Sequence, residues 1–282
     1  MLTALVPVAL VILVIVTLVV IKATGGSSSG SGPAPASKVV AGSGVAGSDN
    51  GTSALPAGVL SDLTSISPQT FAAVGVPSAV SSAVTTGKST AALASDGKPE
   101  ILYVGAEYCP FCAAQRWPLV VALSRFGTFS GLRETHSSTR DLYPDTRTFS
   151  FYGSTYTSSV IDFVPVEEQT NQIVGNTYGT LQTPTAAENA VVAKFDVAPY
   201  TSEPGSIPFL DVGNKYITVG ASYTPQVLQG LSMQQIAAQL NNKNSAVALA
   251  IDGEANQITA EITALTGVQP SSTGSSSTNV GA

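Results

Sequence analysis

The sequence predicts a single α/β domain, and three stretches carry the prediction. "ILYVGA" at 101–106 is a continuous apolar run of strand-forming residues, as expected of a central strand buried on both faces. "CPFCAAQRWPLVVAL" follows as a helix with Pro110 at its first position, where the missing N–H costs nothing and φ is already helical. "IPFLDV" and "KYITVG" then flank Gly213-Asn214, a two-residue turn that fits a hairpin.

In chain order, Leu2–Ile21 is an apolar run broken only by Thr3, Pro7 and Thr17. About 20 such residues cross a hydrocarbon core of roughly 30 Å, and the run is too long for a signal peptide's apolar region. Residues 1–22 are therefore expected to be a single-pass transmembrane anchor. Lys22 and Lys38 give only a weak and opposing orientation signal, so the cysteine chemistry below places the domain on the extracytoplasmic side. Residues 23–54 are rich in Gly, Ser, Ala and Pro and read as a flexible linker. Residues 55–98 read as an N-terminal helical extension, 99–268 as the main domain, and 269–282 as a disordered tail. There is no internal repeat.

Within the main domain, Cys112, Leu119, Val120 and Leu123 share one helix face, and Pro118 should kink that helix by depriving the Ala114 carbonyl of its partner. "HSSTRDLYPDTR" is a polar loop, while "TFSFYG" and "SSVIDFVPVEE" read as strands. Thr185 with Glu188, and Ser232 with Gln235, have capping-box spacing and open two helices. Met233, Ile236, Ala237 and Leu240 form the buried stripe of the second. A last helix runs from about Ala246 to Leu265 and stops at Gly267.

Composition excludes several classes of function. Charged residues make up 11% and the net charge is −6, which leaves no basic footprint for nucleic acid. The 2 cysteines cannot form a structural disulfide framework. A closed zinc site needs four ligands, and one Cys pair with 1 histidine cannot supply them, so no metal is assigned.

Both cysteines lie in Cys109-Pro110-Phe111-Cys112. Cys109 sits at an exposed helix start, where orphan N–H groups and the helix dipole favour a thiolate, and Cys112 turns toward the core. Cys109 is then the nucleophile of thiol–disulfide exchange and Cys112 the resolving thiol. A Cu(I) relay remains an alternative, because two soft thiolates suffice for that ion, and so does an inert buried pair. Glu107 is a candidate proton relay to Cys112, weighed against a solvated carboxylate. His136 reads as a loop residue, and Arg133, Glu134, Arg140, Asp141, Asp145 and Arg147 as a surface ion-pair network. Trp117 and Phe126 read as core or groove aromatics.

A strand, a Cys-x-x-Cys opening a helix and a later X-Pro before a hairpin resemble the thioredoxin fold. "VGAEYCPFC" is similar to that family's active-site strand and turn, with Tyr108 where Trp is usual and Pro110-Phe111 in place of Gly-Pro. Ile207-Pro208 in "GSIPFLDV" matches the family's cis-proline loop. The resemblance implies a thioredoxin-like fold with additional helical segments, catalytic Cys109 and Cys112, and a substrate-binding surface of Tyr108, Pro110, Phe111, Ile207 and Pro208. "DGKPEILYVGAEYCPFCAAQRW" and "ALSRFGTFSGL" resemble, more narrowly, the thioredoxin-like domain-of-unknown-function 929 family of archaea and actinobacteria, over most of residues 55–268.

The expectation is thus a membrane-anchored thiol–disulfide oxidoreductase acting on extracytoplasmic protein thiols and disulfides. It needs no cofactor beyond its own Cys109–Cys112 disulfide, and its electron partner is a membrane-embedded, quinone-linked thiol oxidase. A Cu(I)-binding relay and a non-catalytic interaction module are the alternatives.

Overall fold

The structure is a computed structural model and describes residues 51–271. The expected anchor over 1–22, the linker up to residue 50 and the tail from 272 lie outside the described residues. Among the described residues no helix is long and apolar enough to cross a membrane. The longest, Ala246–Thr266, is studded with Asp252, Glu254 and Glu261 and packs into the globular core. The α/β class stands, and its transmembrane part is corrected.

The first described element is β1 (Ser53–Ala54), inside the expected linker, where it pairs with β6 (Arg133–His136). Two short helices follow, α1 (Val59–Thr64) and α2 (Pro68–Val74). The second is capped by Ser67, whose side chain accepts from the Thr70 N–H. The expected helical extension ends there, for β2 (Val84–Thr85) and β3 (Ala94–Ser95) occupy its second half.

The central strand is β4 (Lys98–Gly105). It pairs in parallel with β9 (Asp162–Glu167) on one side and antiparallel with β12 (Phe209–Val212) on the other. Beyond β12 come β13 (Tyr216–Val219) and β2, and β3 pairs with the first residues of β4. The β12–β13 turn holds Gly213 and Asn214 at φ 66° and 58°, left-handed values that Gly and Asn tolerate best. Alternation along β4 sends Ile101 and Tyr103 into the larger core and Leu102 and Val104 into a smaller one with Phe195, Phe209 and Ile217. That burial on both faces explains the unbroken apolar run.

The crossover from β4 to β9 passes through α3 (Pro110–Leu123), every residue of which is buried except Phe111. On one side α3 meets the sheet. On the others it meets α6 (Ala246–Thr266) and β7 (Arg147–Ser150), so it is apolar all round rather than on one stripe. Pro118 does free the Ala114 carbonyl, which accepts the Tyr223 hydroxyl at 2.7 Å. Trp117 is fully buried and its indole N–H reaches the Arg147 carbonyl at 2.9 Å. Truncation to Ala at such a site costs about 3–5 kcal/mol.

Between α3 and β9 the chain adds β5 (Thr128–Ser130), β6, β7 and β8 (Thr155–Thr157). After β9 it forms the hairpin of β10 (Gln169–Val174) and β11 (Thr177–Thr180). The two capping boxes form as expected at α4 (Ala186–Phe195) and α5 (Met233–Ala237). α6 ends at Gly267 in the left-handed region, φ 72°.

Candidate functional site

The end of β4 and the start of α3 make one tight corner. Cys109 is the N-cap of α3, and its sulfur accepts the Cys112 N–H at 3.3 Å, the place a capping oxygen usually takes. Its own N–H is held by the Ala106 carbonyl at 3.2 Å. The Cys109 thiol points at the Ile207 carbonyl, 3.7 Å away. Cys109 is 5% exposed, Cys112 is fully buried, and both are free thiols.

The two sulfurs are electrostatically unequal. A hydrogen bond from the Cys112 thiol lowers the pKa of Cys109, helped by the N–H groups of Cys112 and Phe111 and by the charge of Arg116. Burial opposes the shift. Burial itself pushes Cys112 well above the usual thiol range, and the neighbouring Cys109 adds to it. The surroundings thus favour the charged form at Cys109 and the neutral form at Cys112.

Arg116 lies one helical turn after Cys112 and is completely buried. Its Nε and Nη2 donate to the two oxygens of buried Glu167 at 2.8 and 2.6 Å, and Nη2 also reaches the Ala106 carbonyl at 2.9 Å. Nη1 has no hydrogen-bond partner among the described residues. The guanidinium therefore braces the loop that presents Cys109 and places a full positive charge behind the pair. Such a charge is tolerated in the core because Glu167 answers it bidentately.

Glu107, the expected proton relay, is fully buried rather than solvated, and its carboxyl is pushed up by burial to about 7. Ser150 donates to its Oε1 at 2.5 Å, while Oε2 has no hydrogen-bond partner among the described residues. The charges that act on Glu107 are Glu167 and Arg116, so its link to the cysteines runs through the guanidinium.

The remaining expected residues gather round Cys109 in different states. Tyr108 is half-buried and stacked on Tyr178, ring centres 4.1 Å apart and 3° from parallel, and burial pushes its hydroxyl up to about 12. Ser138 ties this stack down by donating its N–H to the Tyr108 carbonyl and accepting the Tyr178 hydroxyl. Pro110 is buried, whereas Phe111 is 37% exposed and edge-on to Tyr143, 5.8 Å between centres. The Ile207–Pro208 bond is cis, and the Pro208 carbonyl accepts the Gly220 N–H. Tyr143 and Tyr178 come from the 137–146 loop and the β10–β11 hairpin, so the aromatic rim belongs largely to segments inserted around the α/β core.

His136 turns its Nδ1 to the Ser137 carbonyl at 2.8 Å and to Asp145 at 3.1 Å. Arg147 pairs with Glu134 and Asp145, but Arg133 turns to Thr52. Among the described residues no group of three or more His, Cys, Asp or Glu side chains is placed to hold a metal ion.

Sequence reasoning missed Arg116, Glu167, Ser150 and Tyr103. The signal for Arg116 was present, since an i, i+4 step from Cys112 shares its face. The others become visible only through strand pairing, which sets Glu167 beside Gly105 and brings β7 against α3.

Fold and site together define an α/β protein whose central helix opens on an asymmetric dithiol backed by a buried ion pair. The chain belongs to the family described as Domain of unknown function (DUF929), whose model matches residues 86–264. No curated protein and no solved structure matches it. That family match gives no support to the broader thioredoxin-like superfamily or to a redox centre as such. It also supplies no activity.

The membrane-anchored, extracytoplasmic function is corrected accordingly. No described helix is long and apolar enough to cross a membrane, and the run read as an anchor lies outside the described residues, so the structure gives no support to a membrane anchor or to a membrane-embedded partner. The two cysteines stand as free thiols.

Proposed function

We propose that this chain is a thiol–disulfide oxidoreductase with a thioredoxin-like arrangement of its active strand, helix and proline loop. The observation that carries the reading is the inequality of the two thiols across one helical turn: Cys109 favoured as thiolate at the helix start, Cys112 buried as thiol, Arg116 behind both.

In the dithiol state, the Cys109 thiolate attacks one sulfur of a substrate disulfide. The substrate S–S bond breaks, its second sulfur leaves as thiolate, and a mixed disulfide joins Cys109 to the first. Cys112 then loses its proton and its sulfur attacks that of Cys109, expelling the substrate's remaining thiolate. The substrate gains two electrons and the cysteine pair becomes a disulfide. The reverse sequence oxidises a substrate dithiol. The Ile207 carbonyl, next to the Cys109 sulfur, and the exposed edge of Phe111 supply contacts for the substrate chain.

The test is exchange with a model peptide disulfide. Cys109→Ser abolishes turnover, and Cys112→Ser halts it at a trapped mixed disulfide. Full activity in the Cys109→Ser protein refutes the proposal.

A further inference from the structure

Behind Cys112 lies a polar group with no partner. Tyr103 on β4 is fully buried, its ring edge-on to Phe151 at 5.4 Å, and its hydroxyl makes no hydrogen bond among the described residues. A buried, unpaired hydroxyl forfeits its hydration without replacement and is therefore rare without a purpose.

The position of that hydroxyl is defined by Gly105, two residues on. A methyl group at Gly105 would stand 2.7 Å from the Tyr103 ring carbon that bears the hydroxyl, collide with the hydroxyl oxygen, and lie 3.1 Å from the Cys112 sulfur. Phenol and sulfur thus face each other across the one residue on this strand that lacks a side chain. The Arg116 guanidinium lies 5.9 Å from the centre of the same ring.

We propose that the Tyr103 hydroxyl is the hydrogen-bond donor that meets the Cys112 sulfur whenever that sulfur carries negative charge. The inference rests on the exchange activity proposed above and names what that activity lacks. When a substrate thiolate attacks the Cys109 sulfur of the Cys109–Cys112 disulfide, the S–S bond breaks and its electron pair goes to Cys112. This thiolate is born in a fully buried site, where an unsolvated charge is strongly disfavoured. The phenol O–H turns to it and Arg116 supplies the counter-charge. No proton changes hands at Tyr103, which stabilises the leaving sulfur and then releases it once Cys112 takes up the proton that the substrate thiol shed on becoming the attacking thiolate. While Cys112 is a thiol the hydroxyl idles, which accounts for its lack of a partner in the dithiol.

Two variants and one titration test this. Tyr103→Phe removes only the oxygen, and replacement of Tyr103 by a fluorotyrosine keeps the hydroxyl but makes it a stronger donor. In a Cys109→Ser background, the Cβ NMR shift of labelled cysteine reports Cys112 alone across pH. Tyr103→Phe raises the Cys112 midpoint by about one to two pH units, the worth of a hydrogen bond to a charged group, and the fluorotyrosine lowers it. With Cys109 present, Tyr103→Phe slows reduction of the disulfide by a small dithiol about tenfold or more, without loss of thermal stability in the dithiol.

A purely structural tyrosine would leave the midpoint where it was, and an unmoved midpoint in both variants overturns the proposal even if the wild type exchanges disulfides. A moved midpoint upholds it even if the model peptide is not turned over.

Discussion

Replacing Glu167 by Gln is the sharpest probe of the charge behind the cysteines. Glu167 and Arg116 are both fully buried, and their two hydrogen bonds of 2.8 and 2.6 Å are the only charged partners either has at that distance among the described residues. The substitution keeps the shape and one acceptor oxygen but leaves the guanidinium uncompensated in the core. Breaking a buried pair from one side costs about 3–5 kcal/mol, and the retained acceptor places this case near the lower figure, about 3 kcal/mol. Against a typical stability of about 5–15 kcal/mol the loss is large and measurable by urea unfolding of the dithiol.

The same change has a second, opposite reading at the active sulfur. Arg116 already lowers the pKa of Cys109, and without Glu167 its positive charge is no longer shared. Cys109 is alkylated faster at mildly acidic pH in the variant, although the protein is less stable. Replacing Arg116 and Glu167 together by apolar residues recovers much of the stability and removes the acceleration. A loss under about 1 kcal/mol, with unchanged Cys109 reactivity, would refute the claim that this pair carries buried charge next to the thiols.

Two further outcomes follow from the core. Burial pushes Asp252 and Glu261 up to about 8, and Glu254, Glu107 and Asp211 up to about 7. Each folded-state pKa lies above its unfolded value of about 4, so the native state holds protons that the unfolded chain releases. Stability is therefore fullest below about pH 4 as far as these groups decide it, and falls as pH rises toward about 8. Urea midpoints lower at about pH 9 than at about pH 5, with a shallower fall in Asp252→Asn, are expected, and a midpoint that climbs over this range contradicts the account. Gly105→Ala forces a methyl between Tyr103 and Cys112 and costs about 1–3 kcal/mol by overpacking, read in the same unfolding assay.

Local chemistry made part of this molecule legible. Pro110 at a helix start, the Thr185 and Ser232 capping boxes, the Gly213-Asn214 turn and Gly267 at a helix end each act within a few residues, and each forms where the sequence places it. The acceptor freed by Pro118 was foreseeable, but its partner Tyr223 was not, because the two are joined only by packing. Strands β5, β6, β10 and β11 were missed or left as loop because they are short and polar, with "QTNQIV" and "TYGT" showing no apolar alternation.

The site divided along the same line. Cysteine spacing announced the dithiol. The charges that make its two sulfurs unequal did not show, since Glu107 was weighed as a solvated carboxylate and Arg116 and Glu167 carried no reading until strand pairing buried them. Hydropathy gave the N-terminal run its membrane reading, and that run lies outside the described residues, among which no helix is long and apolar enough to cross a membrane.

The most direct measurement is the redox equilibrium of the full chain in glutathione buffers of graded potential, with thiols quenched and counted by mass. The account predicts that Cys109 and Cys112 pass together from two thiols to one intramolecular disulfide. That two-electron transition has its midpoint between about −120 and −270 mV, the span of known exchange proteins. Two thiols that persist at the oxidising end, or a stable glutathione adduct on Cys109 that Cys112 never resolves, would contradict it.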